Sequence, residues 1–319
     1  MHPYAALTPE VVLDAVATLG PRPDGRLLAL SSYENRVYQV WLEDDVPVVA
    51  KFYRPGRWSD PQIDEEHAFA RELTEREIPV VAPQGSASFS GFRFAVYPRR
   101  GGRTPELGDA KTLEWIGRFM GRIHAVGASR QFAHRESLTP QSFGREPREW
   151  LRQSGFIPAD LLEAWKAATS QALELVDACY ARAGEVRAIR LHGDCHQGNI
   201  LWTDAGPHFV DLDDARMGPA MQDLWMLLSG DRGAMTLQLR EALKGYEQFM
   251  AFDRSELNLL EALRTLRLIH YSAWIGRRWD DPAFPAAFPW FNTQRYWQDR
   301  ILELREQIAL MQEEPLALD

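Results

Sequence analysis

The segment that most constrains this chain runs from Leu191 to Asp214. Leu191-His192-Gly193-Asp194-Cys195-His196-Gln197-Gly198-Asn199-Ile200-Leu201-Trp202 leads through Asp204-Ala205-Gly206-Pro207 into Phe209-Val210-Asp211-Leu212-Asp213-Asp214. Residues 186–191 read as a short strand that enters a glycine-flanked loop. Residues 200–202 and 208–210 read as the two strands of a hairpin closed by a strong turn signal. Such a hairpin folds Asp211 back beside Asn199, although twelve positions separate them in sequence. A fold that accepts this segment has to find a use for an acid, an amide and a second acid held close together.

Phosphoryl transfer from ATP uses that set. One carboxylate, Asp194, can orient and deprotonate an acceptor hydroxyl, while the amide oxygen of Asn199 and the carboxylate of Asp211 offer magnesium the hard oxygens it prefers. Asp213 is either a further carboxylate of the site or a hydrogen-bonded turn residue, and Asp214 reads as structural. His192 and His196 flank Asp194, but the glycines around them break the helical geometry of an H-x-x-x-H zinc site, so both read as loop-shaping residues that hydrogen-bond backbone. Cys195 has no general-base partner identifiable from the sequence and reads as a small buried residue.

Composition sets the outer bounds. With 319 residues and 45% hydrophobic content the chain is too long for one small domain and can bury a substantial core, so two domains are expected. The net charge of −9 is spread along the chain and gives no electrostatic footprint for nucleic acid or an anionic membrane. Cys179 and Cys195 form no disulfide framework and no metal spacing, which suits a reducing compartment. Met1-His2-Pro3-Tyr4 is no basic-then-apolar leader, and no apolar run approaches the roughly 20 residues of a membrane span. A soluble cytoplasmic protein is expected.

The N-terminal third carries β signals around one long helix. Residues 8–20 read as a short helix with Thr8 as cap, Pro9 in the first turn and Gly20 at the exit. Residues 27–30, 37–41 and 48–53 read as strands. Lys51 shares a strand face with Val49 and Tyr53, so its ammonium must find a partner or snorkel to an edge. The connection Ser31-Ser32-Tyr33-Glu34-Asn35-Arg36 is a polar hairpin that could present backbone N–H groups and hydroxyls, Ser32 among them, to phosphates. Residues 60–77 read as a helix with an Ile63, Phe69, Ala70, Leu73 stripe, stopped by Pro79. Glu65 and Glu66 in its first half are either solvated or paired with Lys51. Residues 80–83 and 92–98 supply two further strands, and Pro98 cannot continue a central ladder. The domain boundary is placed there, giving 1–98 and 99–319. The extended backbone from Val96 to Arg99, Tyr97 included, is a candidate adenine contact or an ordinary exit loop.

The remainder is mostly helical, with helices read at 147–153, 159–183, 236–252, 255–274 and 293–312. His124 ends an apolar stripe of Leu113, Ile116, Met120 and Ile123 and reads as a packed or capping histidine. Asp223 fits the N-cap of the helix it begins. The aromatic, proline-rich connection from Trp279 to Phe291 reads as a packed cover over the helical core or as the lining of an acceptor pocket.

Strand lysine, helix glutamate, Asp/Asn loop, hairpin and second Asp occur here in the order in which protein kinases use them, and the Asp-to-Asn spacing matches the kinase catalytic loop. On these residues, together with Ser32-Tyr33-Glu34-Asn35-Arg36, Lys51-Phe52-Tyr53-Arg54-Pro55, Gln222-Asp223-Leu224-Trp225 and Arg278-Trp279-Asp280-Asp281-Pro282, the chain resembles the aminoglycoside phosphotransferase and choline kinase group of protein-kinase-like enzymes, and within it a bacterial stress-response branch. The resemblance extends from about residue 30 to the C-terminus. It implies an α+β, two-lobed, protein-kinase-like fold: a small N-terminal lobe with an antiparallel sheet and one helix, and a large, mainly helical C-terminal lobe. It further implies ATP with Mg2+, serine/threonine protein kinase activity with autophosphorylation, protein substrates, a monomer in the cytoplasm, and a part in surviving envelope, oxidative or antibiotic stress. Asp194 and Asp211 are then catalytic, Asn199 and Asp211 bind the metal, Ser32 lies over ATP, and Lys51 pairs with Glu66, with Tyr97 beside the nucleotide. The chain lacks the Gly-rich loop and the D-F-G phenylalanine of ordinary protein kinases, and residues 215–223 leave little room for an activation segment. Small-molecule kinases acting on an alcohol, amino alcohol or aminoglycoside use the same residues, and a pseudokinase would be expected to lose them.

Overall fold

A computed structural model describes residues 3–318 of the chain. In chain order the elements are α1 (Pro9–Thr18), β1 (Pro23–Ala29), β2 (Arg36–Leu42), β3 (Pro47–Phe52), α2 (Asp60–Glu75), β4 (Gly85–Phe89), β5 (Phe92–Pro98) and α3 (Ala110–Gly127). They continue with α4 (Glu146–Ser154), α5 (Leu162–Ala183), β6 (Ile189–Leu191), β7 (Ile200–Thr203), β8 (Gly206–Phe209), β9 (Arg216–Gly218) and α6 (Met221–Trp225). The last are α7 (Arg232–Tyr246), α8 (Leu260–Gly276), α9 (Ala283–Ala287) and α10 (Gln294–Leu310). The chain forms two compact units. One comprises the chain up to Pro105 with Ala133–Arg135 and Gln197–Asp214, and the other comprises Glu106–Phe132, Glu136–His196 and the chain from Ala215 on.

The first unit is built on a five-stranded antiparallel sheet in the order β1-β2-β3-β5-β4. Alternation along β3 sends Val48, Ala50 and Phe52 to one face, where they meet Phe94 and Val96 of β5 and Val12, Ala15 and Val16 of α1. Lys51 and Tyr53 point to the other face, where Tyr53 packs with Ile63 of α2 and Ala95. Lys51 sits opposite Val37 on β2 and Ala95 on β5, in the middle of the sheet. Ser59 and Gln62 form a capping box at the start of α2, and Pro61 fills its first turn. The expected strand at 80–83 is not formed. Pro79 and Pro83 bracket the two valines, and Val80 makes only a bridge to Phe209. The fourth strand is instead β4, whose Gly85-Ser86-Ala87-Ser88-Phe89 pairs with β5 at the sheet edge. The β7–β8 hairpin turns between Thr203 and Gly206 and is docked by Val81 N–H donating to the Phe209 carbonyl at 2.9 Å.

The second unit is helical around two short strands, β6 and β9. α3 and α7 cross at backbone distance. A Cβ placed on Gly117 would lie 1.8 Å from the Ala242 carbonyl oxygen, and one on Gly245 would lie 1.9 Å from that of Glu114. The connection from Trp279 to Phe291 is a packed cover: Phe284 and Phe291 are fully buried, with Phe284 5.0 Å from Trp274 and Phe291 5.7 Å from Trp297 between ring centres. No helix among the described residues is long and apolar enough to cross a membrane.

Candidate active site

In the first unit the site is organised around Lys51. Its side chain is 7% exposed, and its ammonium lies 2.9 Å from Asp211 Oδ1, 3.0 Å from Asp213 Oδ1 and 3.6 Å from Glu66 Oε1. Burial works against the lysine's charge, but the three carboxylates outweigh it and hold its pKa well above the ordinary value. Asp211 leads from the hairpin, whose base is tied where Val210 N–H donates to the Asn199 carbonyl at 3.0 Å. The hairpin thus brings Val210, the neighbour of Asp211 in sequence, beside Asn199. Asp211 has φ +62°, a left-handed conformation that Asp tolerates better than most residues but that still costs energy. Its side chain is half exposed, and Oδ2 takes no partner among the described residues.

Asp213 is different. It is buried, with Oδ1 on Lys51 and Oδ2 accepting a short hydrogen bond from Arg57. Burial raises its pKa, but Arg57 and Lys51 prevail and bring it down to about 2. Arg57 also donates to Asp214 Oδ1 at 2.8 Å and lies 3.7 Å from Glu34. Each oxygen of Asp213 therefore faces a cation, Lys51 at Oδ1 and Arg57 at Oδ2.

Glu66 is buried and belongs to two cations. Its Oε2 accepts from Arg135 Nη2 at 3.0 Å, and its Oε1 faces Lys51 and accepts from Tyr53 Oη at 3.2 Å. Burial pushes its pKa up against the pull of Lys51 and Arg135. Arg135 also donates to the Asp213 carbonyl at 2.6 Å and the Gln62 carbonyl at 2.8 Å. Next to it, the Glu65 carboxylate accepts from three successive backbone N–H groups, Ala133 at 2.5 Å, His134 at 3.0 Å and Arg135 at 2.9 Å. Arg135 thus serves both glutamates, Glu65 through its backbone N–H and Glu66 through its guanidinium. Ser32 Oγ accepts from Val37 N–H at 3.2 Å and closes the β1–β2 connection. The Tyr97 side chain lies on the Lys51 face of the sheet, with its hydroxyl 3.1 Å from that of Tyr53.

In the second unit Asp194 follows β6 on a loop shaped by Asp223. The Asp223 carboxylate is fully buried and accepts from His192 N–H at 2.8 Å and Gly193 N–H at 2.9 Å. His124 Nε2 lies 3.1 Å from the same carboxylate, and His124 Nδ1 lies 2.9 Å from Tyr246 Oη. Burial opposes the Asp223 charge, but the hydrogen bond from His124 leads the interactions that bring its pKa below the usual carboxylate range. The N-cap expectation for Asp223 is therefore corrected. It is the third residue of α6, and its side chain serves a distant loop rather than its own helix. Asp194 has Oδ1 2.8 Å from Arg267 Nη2 of α8 and Oδ2 3.5 Å from His196 Nε2. His192 Nδ1 accepts weakly from Asp194 N–H at 3.4 Å. Cys195 is fully buried, which pushes its thiol pKa well up and leaves it inert.

Arg57, Arg135, Arg267 and the tether on Glu65 are not among the residues the sequence singles out. Arg57 reaches Asp213, Arg135 reaches Glu66, Arg267 reaches Asp194 and Glu65 reaches Ala133, each across 68 positions or more, and an arginine outside a motif gives no signal of such a reach. No group of three or more His, Cys, Asp or Glu side chains that could hold a metal by themselves occurs among the described residues. An ion held here would rest on few protein oxygens and on waters or phosphates, as magnesium commonly does.

The profile of the family described as APH, phosphotransferase enzyme family, matches residues 26–260. Stress response kinase A of Escherichia coli (strain K12) is 45% identical over 99% of this chain and 97% of that protein. The serine/threonine protein kinase RdoA of Salmonella typhimurium (strain LT2) is 44% identical over the same shares. Among solved structures, the amicoumacin kinase hAmiN in complex with AMP-PNP, Ca2+ and Ami aligns with a TM-score of 0.73 at 18% identity, covering 97% of this chain and 94% of that one. That likeness carries the fold, and the α+β, kinase-like expectation holds.

Proposed function

This chain belongs to the phosphotransferase enzyme family, and from that premise we propose that it is an ATP- and Mg2+-dependent serine/threonine protein kinase that phosphorylates itself and other proteins in a bacterial stress response. The observation that carries the reading is the ammonium of Lys51, buried on β3 and enclosed by Asp211, Asp213 and Glu66. A buried cation with three acids around it suits the phosphates of a nucleotide, which would take over part of that pairing. Asp211, half exposed with one oxygen unengaged, fits a magnesium ligand together with Asn199. The metal would neutralise charge on the phosphates. Ser32 closes the connection above them, and the backbone around Tyr97 faces the adenine. Asp194 accepts the proton of the acceptor hydroxyl. The protein acts as a monomer in the cytoplasm and takes no part in nucleic-acid or membrane binding.

A second reading, a small-molecule kinase, draws on the solved relative titled amicoumacin kinase. Labelled ATP incubated with pure protein, with and without cell lysate, separates the two. Label on serine or threonine of this chain and of lysate proteins is expected. Label confined to small molecules would favour the second reading. Asp194→Ala should abolish labelling. Asp211→Ala should lose metal-dependent turnover while keeping its circular dichroism spectrum, and an unfolded Asp211→Ala would make that residue structural.

A further inference from the structure

Within the second unit, α8 sets Arg264, Arg267 and Tyr271 along one side of an open cleft of about 500 Å3, with Trp225 and the acids Glu303 and Glu306 on its other walls. The charges in this cleft differ in how they are compensated. Arg264 lies over the Trp225 ring at 5.5 Å and pairs with Glu261 at 3.5 Å. Glu303 is neutralised by Arg300 at 2.5 Å, and Glu306 is exposed to screening by solvent. Arg267 holds Asp194 Oδ1 through Nη2 at 2.8 Å, and it has no other hydrogen-bond or ion-pair partner among the described residues. A guanidinium carries five N–H donors, so most of its capacity faces the cleft unspent. Its side chain is one-third exposed there.

This bears on which acceptor Asp194 can serve. The ion pair at Oδ1 holds the Asp194 carboxylate against Arg267, so an acceptor hydroxyl that reaches this carboxylate also comes near the guanidinium. In the transfer, the acceptor oxygen bonds to the γ-phosphorus as the bond from that phosphorus to the β,γ-bridging oxygen breaks. ADP leaves with the electron pair, and the hydroxyl proton passes to the Asp194 carboxylate. An acceptor that brings a cation next to its hydroxyl meets the guanidinium head-on. One that brings a carboxylate or phosphate gains charge-assisted, fork-shaped hydrogen bonds. We propose that Arg267 is a positioning and specificity-determining residue that aligns Asp194 and reads an anionic group beside the acceptor hydroxyl. The preferred acceptors are seryl or threonyl hydroxyls with acidic neighbours, not choline-like or aminoglycoside cations. The proposal rests on the reading of Asp194 as the base.

The test compares kcat and KM of the full chain for two serine peptides that differ only in carrying aspartates or lysines around the serine, with choline and kanamycin as cationic probes. The parent enzyme should favour the acidic peptide by about tenfold or more in kcat/KM, the order of one charge-assisted hydrogen bond. Arg267→Gln should erase that ratio, mainly through KM for the acidic peptide, and lower kcat for both. Arg267→Lys should restore much of the ratio, which a merely structural role would not predict. Preference for the basic peptide or for either cation, no transfer to the acidic peptide, or an unchanged ratio in a folded Arg267→Gln would each overturn the proposal. An Asp194→Asn variant with full turnover would instead overturn the assignment of the base. The two failures are therefore distinct.

Discussion

At the scale of single residues, Glu256 and Asp223 are two buried carboxyls whose pKa values move in opposite directions. Glu256 accepts from Met221 N–H at 2.8 Å and is nearly fully buried, and burial lifts its pKa to about 7. A carboxyl raised in the folded state binds its proton more tightly there than in the unfolded chain. Its stabilising contribution is present below the unfolded value near 4.5 and is lost as pH rises through about 7. Unfolding free energy should therefore fall across that window by up to about 3 kcal/mol from this group. Urea denaturation of Glu256→Gln at pH 5 and pH 7.5 should show a smaller drop than the parent, and an equal drop would remove Glu256 as the cause. Asp223 has the opposite character. Asp223→Ala leaves two backbone N–H groups and His124 without their buried acceptor, for a loss of roughly 3–5 kcal/mol. Asp223→Asn, which keeps one acceptor oxygen, should lose less, and equal losses would mean that the carboxylate's shape rather than its hydrogen bonds matters. Alternation along β3 made Lys51 visible in the sequence, whereas helix spacing left Glu65 and Glu66 undistinguished and only the family resemblance pointed to Glu66. Neither periodicity says which arginine completes the pairing, because Arg57 and Arg135 reach their acids through tertiary packing.

At the scale of elements, the parts with strong periodicity were legible and those with weak composition were not. α2, α3 and the β7–β8 hairpin announce themselves through apolar stripes and a turn string. β4 does not, because Gly-Ser-Ala-Ser-Phe has little strand preference and takes its conformation from pairing with β5. The two valines at 80 and 81 mislead in the other direction, since prolines on either side prevent a ladder. The α3–α7 crossing yields a prediction of its own. Gly117→Ala puts a methyl group against the Ala242 carbonyl, and neither backbone can yield without parting the helices. A loss of about 1–3 kcal/mol is expected in thermal or chemical denaturation. Gly108→Ala, where an added Cβ meets nothing within 4 Å, should stay within about 0.5 kcal/mol of the parent. Comparable losses in both variants would mean that the crossing is looser than described.

At the scale of the whole molecule, nucleotide binding should register as stability. A ligand at 100 times its Kd adds about 2.7 kcal/mol. Saturating magnesium with a non-hydrolysable ATP analogue should therefore raise the melting temperature by about 2 °C or more. Lys51→Met should abolish most of that shift, and a full shift in the variant would take Lys51 out of nucleotide binding. α2 joins this larger behaviour through Glu65, whose carboxylate already fills a cup of three amide hydrogens on the 133–135 strap, while Arg135 grips Glu66 beside it. In many signalling enzymes such a cup waits for an added phosphoryl group, whose arrival turns the machine on. Here a side chain of the same chain sits in it from the outset. Swinging α2 away would break the three Glu65 hydrogen bonds and the buried Glu66–Arg135 pair at once, so the helix is moored at two adjacent residues to one strap.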